Sequence, residues 1–173
     1  MELQTDRLIL RPHALADFPE LLAMWTDPAV TRHILRGARV TEGDVWFRLL
    51  RYVGHWTLQG YGFFLVRERA TNTFVGEVGL MDFRREMDPP LAAPECGWVL
   101  AASAHGKGYA TEAVGALLAW ADTKFPLTTC IIDPDNVASL KVAAKVGFAV
   151  VRDAELAGDP VGVYERSRPD SRT

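Results

Sequence analysis

The residues whose types and spacing best suit chemistry lie between Val99 and Glu112, in the run VLAASAHGKGYATE. An apolar run ends, a short connection follows, and His105-Gly106-Lys107-Gly108-Tyr109-Ala110 opens a long helical pattern. Glycines let a backbone approach a ligand and expose successive N–H groups. The first turn of a helix carries unpaired N–H donors and a positive dipole end, so it attracts anions. Lys107 adds charge and Thr111 a hydroxyl. The segment therefore suits either a pyrophosphate cradle or a tight strand-to-helix turn. It is not a dinucleotide fingerprint, which needs a third glycine where Thr111 stands. Nor is it a P-loop, whose first glycine and Gly-Lys-Ser/Thr are four residues apart. A second segment, Asp133-Pro134-Asp135-Asn136-Val137-Ala138-Ser139, also joins a strand to a helix. Asn136 suits an N-cap, which would bring the Ser139 hydroxyl to the same helix end.

Both segments need elements to hold them. Residues 7–11 alternate as a short strand closed by Pro12, and 14–26 carry Leu15, Phe18, Leu21, Leu22 and Trp25 at helical spacing, ended by Asp27-Pro28. Thr41 or Asp44 caps a second helix whose inner face is Val45, Leu49, Tyr52, Val53 and Trp56. Strands follow at 63–68, 74–81 and 95–100, with Asn72 in the first turn and a proline-rich, mobile loop at 84–94. A helix at 108–124 buries Ala110, Val114, Leu117, Leu118 and Ala121. A strand at 128–132 leads to a helix at 137–146, closed by Lys145, Gly147 and Phe148. Strands at 148–152 and 161–166 end the pattern, before a disordered tail at 169–173. With no repeat or linker, residues 1–173 read as one domain. The element order gives an α/β (α+β) fold with a mixed sheet covered by helices.

The bulk composition agrees. The 173 residues are 49% hydrophobic and 24% charged, the mix of a globular domain large enough to bury its own core. A net charge of −3 argues against coating nucleic acid, which needs surplus Lys and Arg. Cys96 and Cys130 sit in apolar runs and form no metal-ligand spacing with His13, His33, His55 or His105, so no metal is expected. The N-terminus carries no secretory pattern, and no apolar run reaches the length of a membrane span. These features predict a cytoplasmic protein without membrane partners.

Taken together, the segments resemble the GNAT superfamily of N-acetyltransferases, and within it the RimJ/RimL type that acetylates protein N-termini among other amines. The resemblance runs from Thr5-Asp6-Arg7-Leu8-Ile9-Leu10-Arg11-Pro12 through Gly76-Glu77-Val78-Gly79-Leu80 and Glu95-Cys96-Gly97-Trp98. It continues in Gly106-Lys107-Gly108-Tyr109-Ala110-Thr111-Glu112-Ala113 and Asn136-Val137-Ala138-Ser139, and it ends in Lys145-Val146-Gly147-Phe148 and Tyr164-Glu165-Arg166. The superfamily's coenzyme A signature, Arg/Gln-x-x-Gly-x-Gly/Ala, falls on residues 105–110, with His105 in the Arg/Gln place.

The resemblance implies a central sheet of about seven strands, splayed in the middle where 95–100 and 128–132 part, with helices on both faces. Acetyl-CoA is the implied cosubstrate. Its pantetheine arm would pair with the backbone of Val99 and Ala101 and with Asn136. Its pyrophosphate would rest on Gly106 to Ala110, so His105, Gly106, Lys107, Gly108, Tyr109, Ala110 and Thr111 form the binding set. The implied activity is direct transfer of acetyl to a primary amine, of a small molecule or a protein N-terminus, in a ternary complex. The alternative is an inactive acyl-CoA-binding protein of the same fold, acting as monomer or homodimer like the enzyme.

Amines arrive largely protonated near neutral pH, so direct attack needs a general base. Glu95 is the first candidate and Glu77 the second. A strand N–H near Val99 or Leu100 would meet the thioester oxygen. Ser139, with Tyr164 as runner-up, would donate to the leaving thiolate. Trp25, Trp46, Trp56 and the 33–39 segment would build the acceptor pocket, with Arg84, Arg85 and Glu86 within reach. The acceptor's identity is not legible.

Overall fold

The structure is a computed structural model describing residues 1–35 and 38–169. In chain order the elements are β1 (Leu3–Gln4), β2 (Leu8–Pro12), α1 (Phe18–Trp25), α2 (Pro28–Leu35) and α3 (Glu42–Gln59). Then come β3 (Phe63–Glu68), β4 (Phe74–Met81), β5 (Glu95–Leu100), α4 (Tyr109–Ala121) and β6 (Leu127–Ile132). The last are α5 (Val137–Lys145), β7 (Ala149–Leu156) and β8 (Asp159–Ser167). One eight-stranded sheet runs β1-β2-β3-β4-β5-β6-β8-β7. All neighbours are antiparallel except β5 and β6, which run parallel and share a single register pair, Glu95 with Thr129. Beyond that pair the two strands diverge, as the resemblance implied.

The alternation of strand side chains assigns the two faces. Phe64, Val66, Val78, Leu80, Cys96 and Cys130 form one core with Val114, Leu117 and Leu118 of α4 and Ala143 of α5. Leu65 points the other way, into Leu21, Met24, Trp25, Val45 and Leu49 of α1 and α3. Each fully buried leucine contributes about 1.5–3 kcal/mol relative to exposure.

Local signals explain the helix ends. Thr41, not Asp44, is the N-cap of α3: its hydroxyl accepts from the Asp44 N–H, and Asp44 accepts from the Thr41 N–H at 2.8 Å. At the end of α5 the Phe148 N–H reaches the Ala143 carbonyl and the Gly147 N–H the Ala144 carbonyl, with Gly147 left-handed at φ 93°. These are the two bonds of a Schellman cap. No helix among the described residues is long and apolar enough to cross a membrane.

Several sequence expectations need correction. Asp27-Pro28 does not merely stop α1; it starts α2, a helix the pattern missed. Asp27 Oδ1 accepts from the Ala29 N–H at 2.8 Å, and proline suits the first helical position. Val53 faces solvent at 45% exposure rather than the core. The strand β1 was not anticipated. The hairpin of β7 and β8 is longer than expected because Ala157 and Gly158, both at positive φ (52° and 88°), turn it in two residues. The 84–94 loop makes two contacts with the sheet, Arg85 with Glu95 and Arg152 with the Pro89 carbonyl. Residues 170–173 of the expected disordered tail, and residues 36–37 of the 33–39 segment, lie outside the described residues.

Candidate functional site

The divergence of β5 and β6 sets the site. The Ala101 N–H donates to the Val75 carbonyl at 3.0 Å, so the odd-numbered end of β5 turns its backbone groups toward β4. On the opposite side the Pro94 carbonyl accepts from the Thr129 N–H at 3.0 Å. Even-numbered residues therefore face β6, and past the single bridge the backbone groups of Trp98 and Leu100 face an open gap. This shifts the expected pairing by one residue. Ala101 has its N–H on Val75 and its carbonyl on the Ala104 N–H, so it offers an arm nothing. The Val99 backbone belongs to β4, and the gap-facing N–H groups are those of Trp98 and Leu100.

Two cavities open along this gap. The larger, about 820 Å³, reaches the glycine turn and is lined by Leu100, His105, Gly106, Gly108 and residues 109–111. The smaller, about 430 Å³, lies against α3 and the start of β5. They share His33, Ile34, Trp98, Val99, Asn136 and Ser139. Lys107 lines neither cavity. The larger one instead carries Arg32, Lys141 and Lys145. Those cations were not among the residues read from sequence as candidates, Arg32 because its helix was missed and Lys145 because it read only as a helix-end charge.

The glycine turn is built and held from far away in sequence. Gly106 and Gly108 adopt φ 75° and 78°, which side chains resist. Arg7 donates to the Lys107 carbonyl at 3.0 Å and lies 4.7 Å over the Tyr109 ring. Glu112, in the first turn of α4, accepts from the Arg7 Nε at 2.7 Å and the Thr5 hydroxyl at 2.5 Å. Burial alone would raise the Glu112 pKa, but the hydrogen bonds of Thr5 and Arg7 outweigh it and bring it below the usual range. The Tyr109 hydroxyl donates to Glu68 at 2.5 Å, which pushes the tyrosine pKa up. His105 Nε2 bonds the Leu100 carbonyl at 3.0 Å. A carbonyl only accepts, so that nitrogen carries the proton.

Of the two candidate bases, Glu95 lines the smaller cavity and Glu77 does not. Glu95 is 7% exposed, with Arg85 Nε at 2.5 Å from one oxygen and Nη2 at 2.7 Å from the other. Glu77, opposite Val99 in the ladder, has no exposed surface. It accepts from the Tyr52 hydroxyl at 2.5 Å and from the Trp25 indole at 3.2 Å, and His13 Nε2 lies 3.2 Å away. Burial and the neighbouring Glu77 charge push the Tyr52 pKa well up. Asn136 caps α5, accepting from the Ser139 N–H at 3.1 Å, and Ser139 stands where the cavities meet. Tyr164 does not join them. It sits opposite Cys130 on β6, packed into the core on the α4 face and filling the space a Gly162 side chain would need. Trp25 lines the smaller cavity, whereas Trp46 and Trp56 do not. Trp56 packs on Phe64 and donates to the Phe63 carbonyl at 2.7 Å.

Comparison with known proteins places this geometry. A family described as the acetyltransferase (GNAT) domain matches residues 7–149. An uncharacterized N-acetyltransferase p20 of Bacillus licheniformis is 28% identical over 169 residues, covering 94% of this chain and 92% of that one. The crystal structure of an acetyltransferase from Agrobacterium tumefaciens str. C58 superposes with a TM-score of 0.81 at 28% identity, covering 96% and 94%. The RimL ribosomal L7/L12 α-N-protein acetyltransferase, solved in complex with coenzyme A, gives a TM-score of 0.77 over 96% and 98%. At 18% identity, that likeness is one of fold.

Proposed function

Because the chain belongs to the GNAT acetyltransferase family, whose members take their acetyl group from acetyl-CoA, we propose that it transfers that group to a primary amine by direct attack in a ternary complex. The observation that carries this reading is the junction of the two cavities at Trp98, Asn136 and Ser139, in the gap between β5 and β6. A ligand reaching in from the glycine turn and another from the α3 side would meet only there. We place the protein in the cytoplasm, as one domain over its 173 residues.

The donor supplies an activated thioester; the chain's own groups do the rest. The N–H groups of the 106–110 turn and the start of α4 suit a pyrophosphate, and Gly106 fits because no atom lies within 4 Å of where its side chain would be. The gap-facing N–H of Trp98 or Leu100 stabilises negative charge on the thioester oxygen. Ser139 donates toward the departing sulfur. Glu95 takes the amine proton through water. It stands three residues before Trp98, about 10 Å along the strand, a separation that favours relay through water over direct transfer. Glu77 is sealed beneath Tyr52 and Trp25, so it positions those rings and does not touch the amine.

The test is release of free thiol from acetyl-CoA across a panel of amines that includes N-terminal peptides, with acetyl-CoA affinity measured in parallel. Amine-dependent release supports the proposal. Tight acetyl-CoA binding with no release for any amine would replace it with the inactive binding protein.

A further inference from the structure

The smaller cavity is unusual in its cations. Arg48 and Arg51, three residues apart on α3, both line it, together with Arg85 from the loop before β5. Arg85 spends its charge on Glu95. Arg48 and Arg51 have no carboxylate partner among the described residues. Arg48 lies 3.6 Å from the centroid of the Trp25 ring, and its Nη1 donates to the Tyr52 hydroxyl at 3.3 Å. Arg51 lies 5.6 Å and Arg85 4.6 Å from the centroid of the same Phe83 ring. Like charges one helical turn apart repel. The groups packed around the Arg51 guanidinium, with Arg48 and Arg85 beside it, push its pKa down. Glu77, buried behind Tyr52, offsets this only in part, and the carboxylates on the cavity wall are already engaged. Asp133 already accepts from the Asp135 N–H, and Asp159 lies in the β7–β8 hairpin and is also engaged.

We infer that the acceptor is a small amine carrying a carboxylate, which Arg48 and Arg51 bind while its amino group faces the junction at Ser139. The inference rests on the acetyl-transfer reading and narrows its substrate class. A guanidinium fork matches a carboxylate in geometry and charge. Rings at Phe63 and Phe83 offer an apolar wall for the rest of the molecule. A volume of about 430 Å³ suits a ligand of amino-acid size. A polycationic amine would meet Arg48 and Arg51 while the lining carboxylates Glu95, Asp133 and Asp159 are already engaged, and is disfavoured.

The test compares kcat/KM for the twenty free amino acids, for the same amino acids as C-terminal amides, and for peptides with an acidic residue near the N-terminus. The best free acid should exceed its amide about ten- to a hundredfold. Arg51→Gln and Arg48→Gln should each cut that acid-to-amide ratio about tenfold, and Arg51→Lys should restore part of it. Calorimetry of the best acid without acetyl-CoA should show its affinity falling about tenfold in Arg51→Gln. Amides used as well as acids, peptides preferred over free acids, or a ratio and affinity indifferent to both arginines would each overturn the inference. Carboxylate-dependent binding with no amine acetylated would instead sink the acetyl-transfer reading and leave the anion site standing.

Discussion

Replacing Gly108 by valine probes the proposed cradle most sharply. Gly108 stands at φ 78°, the left-handed region, where an L-residue costs about 1–2 kcal/mol and a β-branched one at the upper end or beyond. An added Cβ would lie 3.6 Å from Arg7 Nη2, an ordinary contact, so the branch carbons would press on Arg7 without a backbone clash. Folding should therefore lose only about 1–3 kcal/mol, a fall in Tm of roughly 3–10 °C. Binding should lose more. If the turn presents two N–H groups to a pyrophosphate, and each charge-assisted bond is worth about 1.5–3 kcal/mol, their loss weakens Kd by about 10²–10⁴-fold. Calorimetric titration with coenzyme A, beside a thermal melt, reads both quantities. Gly60→Ala is the control: at φ 73° with open space around it and outside both cavity linings, it should show the left-handed strain and leave coenzyme A binding unchanged. A folded Gly108→Val protein that binds coenzyme A within threefold of the parent would refute the cradle.

Four further outcomes are expected. Glu95→Gln should lower turnover about 10²–10⁴-fold near neutral pH, with the deficit shrinking at high pH where the amine is already neutral. Ser139→Ala should slow turnover without that rescue, and pH-rate profiles of both variants decide. Asp17→Asn should cost about 2–4 kcal/mol in denaturant melts, because Asp17 is 2% exposed and held by Arg11 at 2.6 Å and by Arg67. Burial alone would raise the Asp17 pKa, but the bonds from Arg11 and the Ala14 N–H bring it below its ordinary 3.8. A depressed folded pKa gives stability that is present above about pH 4 and lost as pH falls below it, so the variant and parent should converge in acid. Glu77→Leu should lower stability by about 3–5 kcal/mol, because it leaves the Tyr52, Trp25 and His13 groups without an acceptor; a melt within 1 kcal/mol of the parent would contradict the sealed role.

Most strands and the longer helices were legible because their cues are local. Short apolar runs set off by Gly60 and Gly62, Asn72 and the prolines of 84–94 marked β3, β4 and β5, and the capping residues Thr41 and Asp44 bracketed the start of α3. What was not legible depends on context. Asp27-Pro28 can end one helix or begin the next, and only the packing of Val30 beneath α1 decides. Val53 keeps helical spacing yet lies just off the buried stripe. Which β5 groups face the gap depends on pairing parity with β4, and sequence carries no mark of parity. The pairing of Arg48 and Arg51 against an open cavity also escaped, because two arginines on a helix ordinarily read as a solvated face.

Two carboxylates that line neither cavity show how differently the acids around the cleft are used. Glu112 and Glu77 flank opposite ends of it. Glu112 holds Arg7 and Thr5, and through Arg7 the carbonyl of Lys107, so the glycine turn is braced against residues about a hundred positions away. Glu77 gathers Tyr52 from α3, Trp25 from α1 and His13 from the segment after β2 onto one strand. Neither touches the junction. A carboxylate whose oxygens are taken up by several donors is geometrically committed, which suits bracing and not proton exchange. Glu95 differs because its donors come from one side chain, Arg85, on a loop. Each of its oxygens keeps a lone pair beyond the guanidinium, open to a water on the cavity side. The division of labour among the three follows from what holds each: three elements converge on Glu77, two residues of the β1–β2 turn hold Glu112, and a single loop side chain holds Glu95.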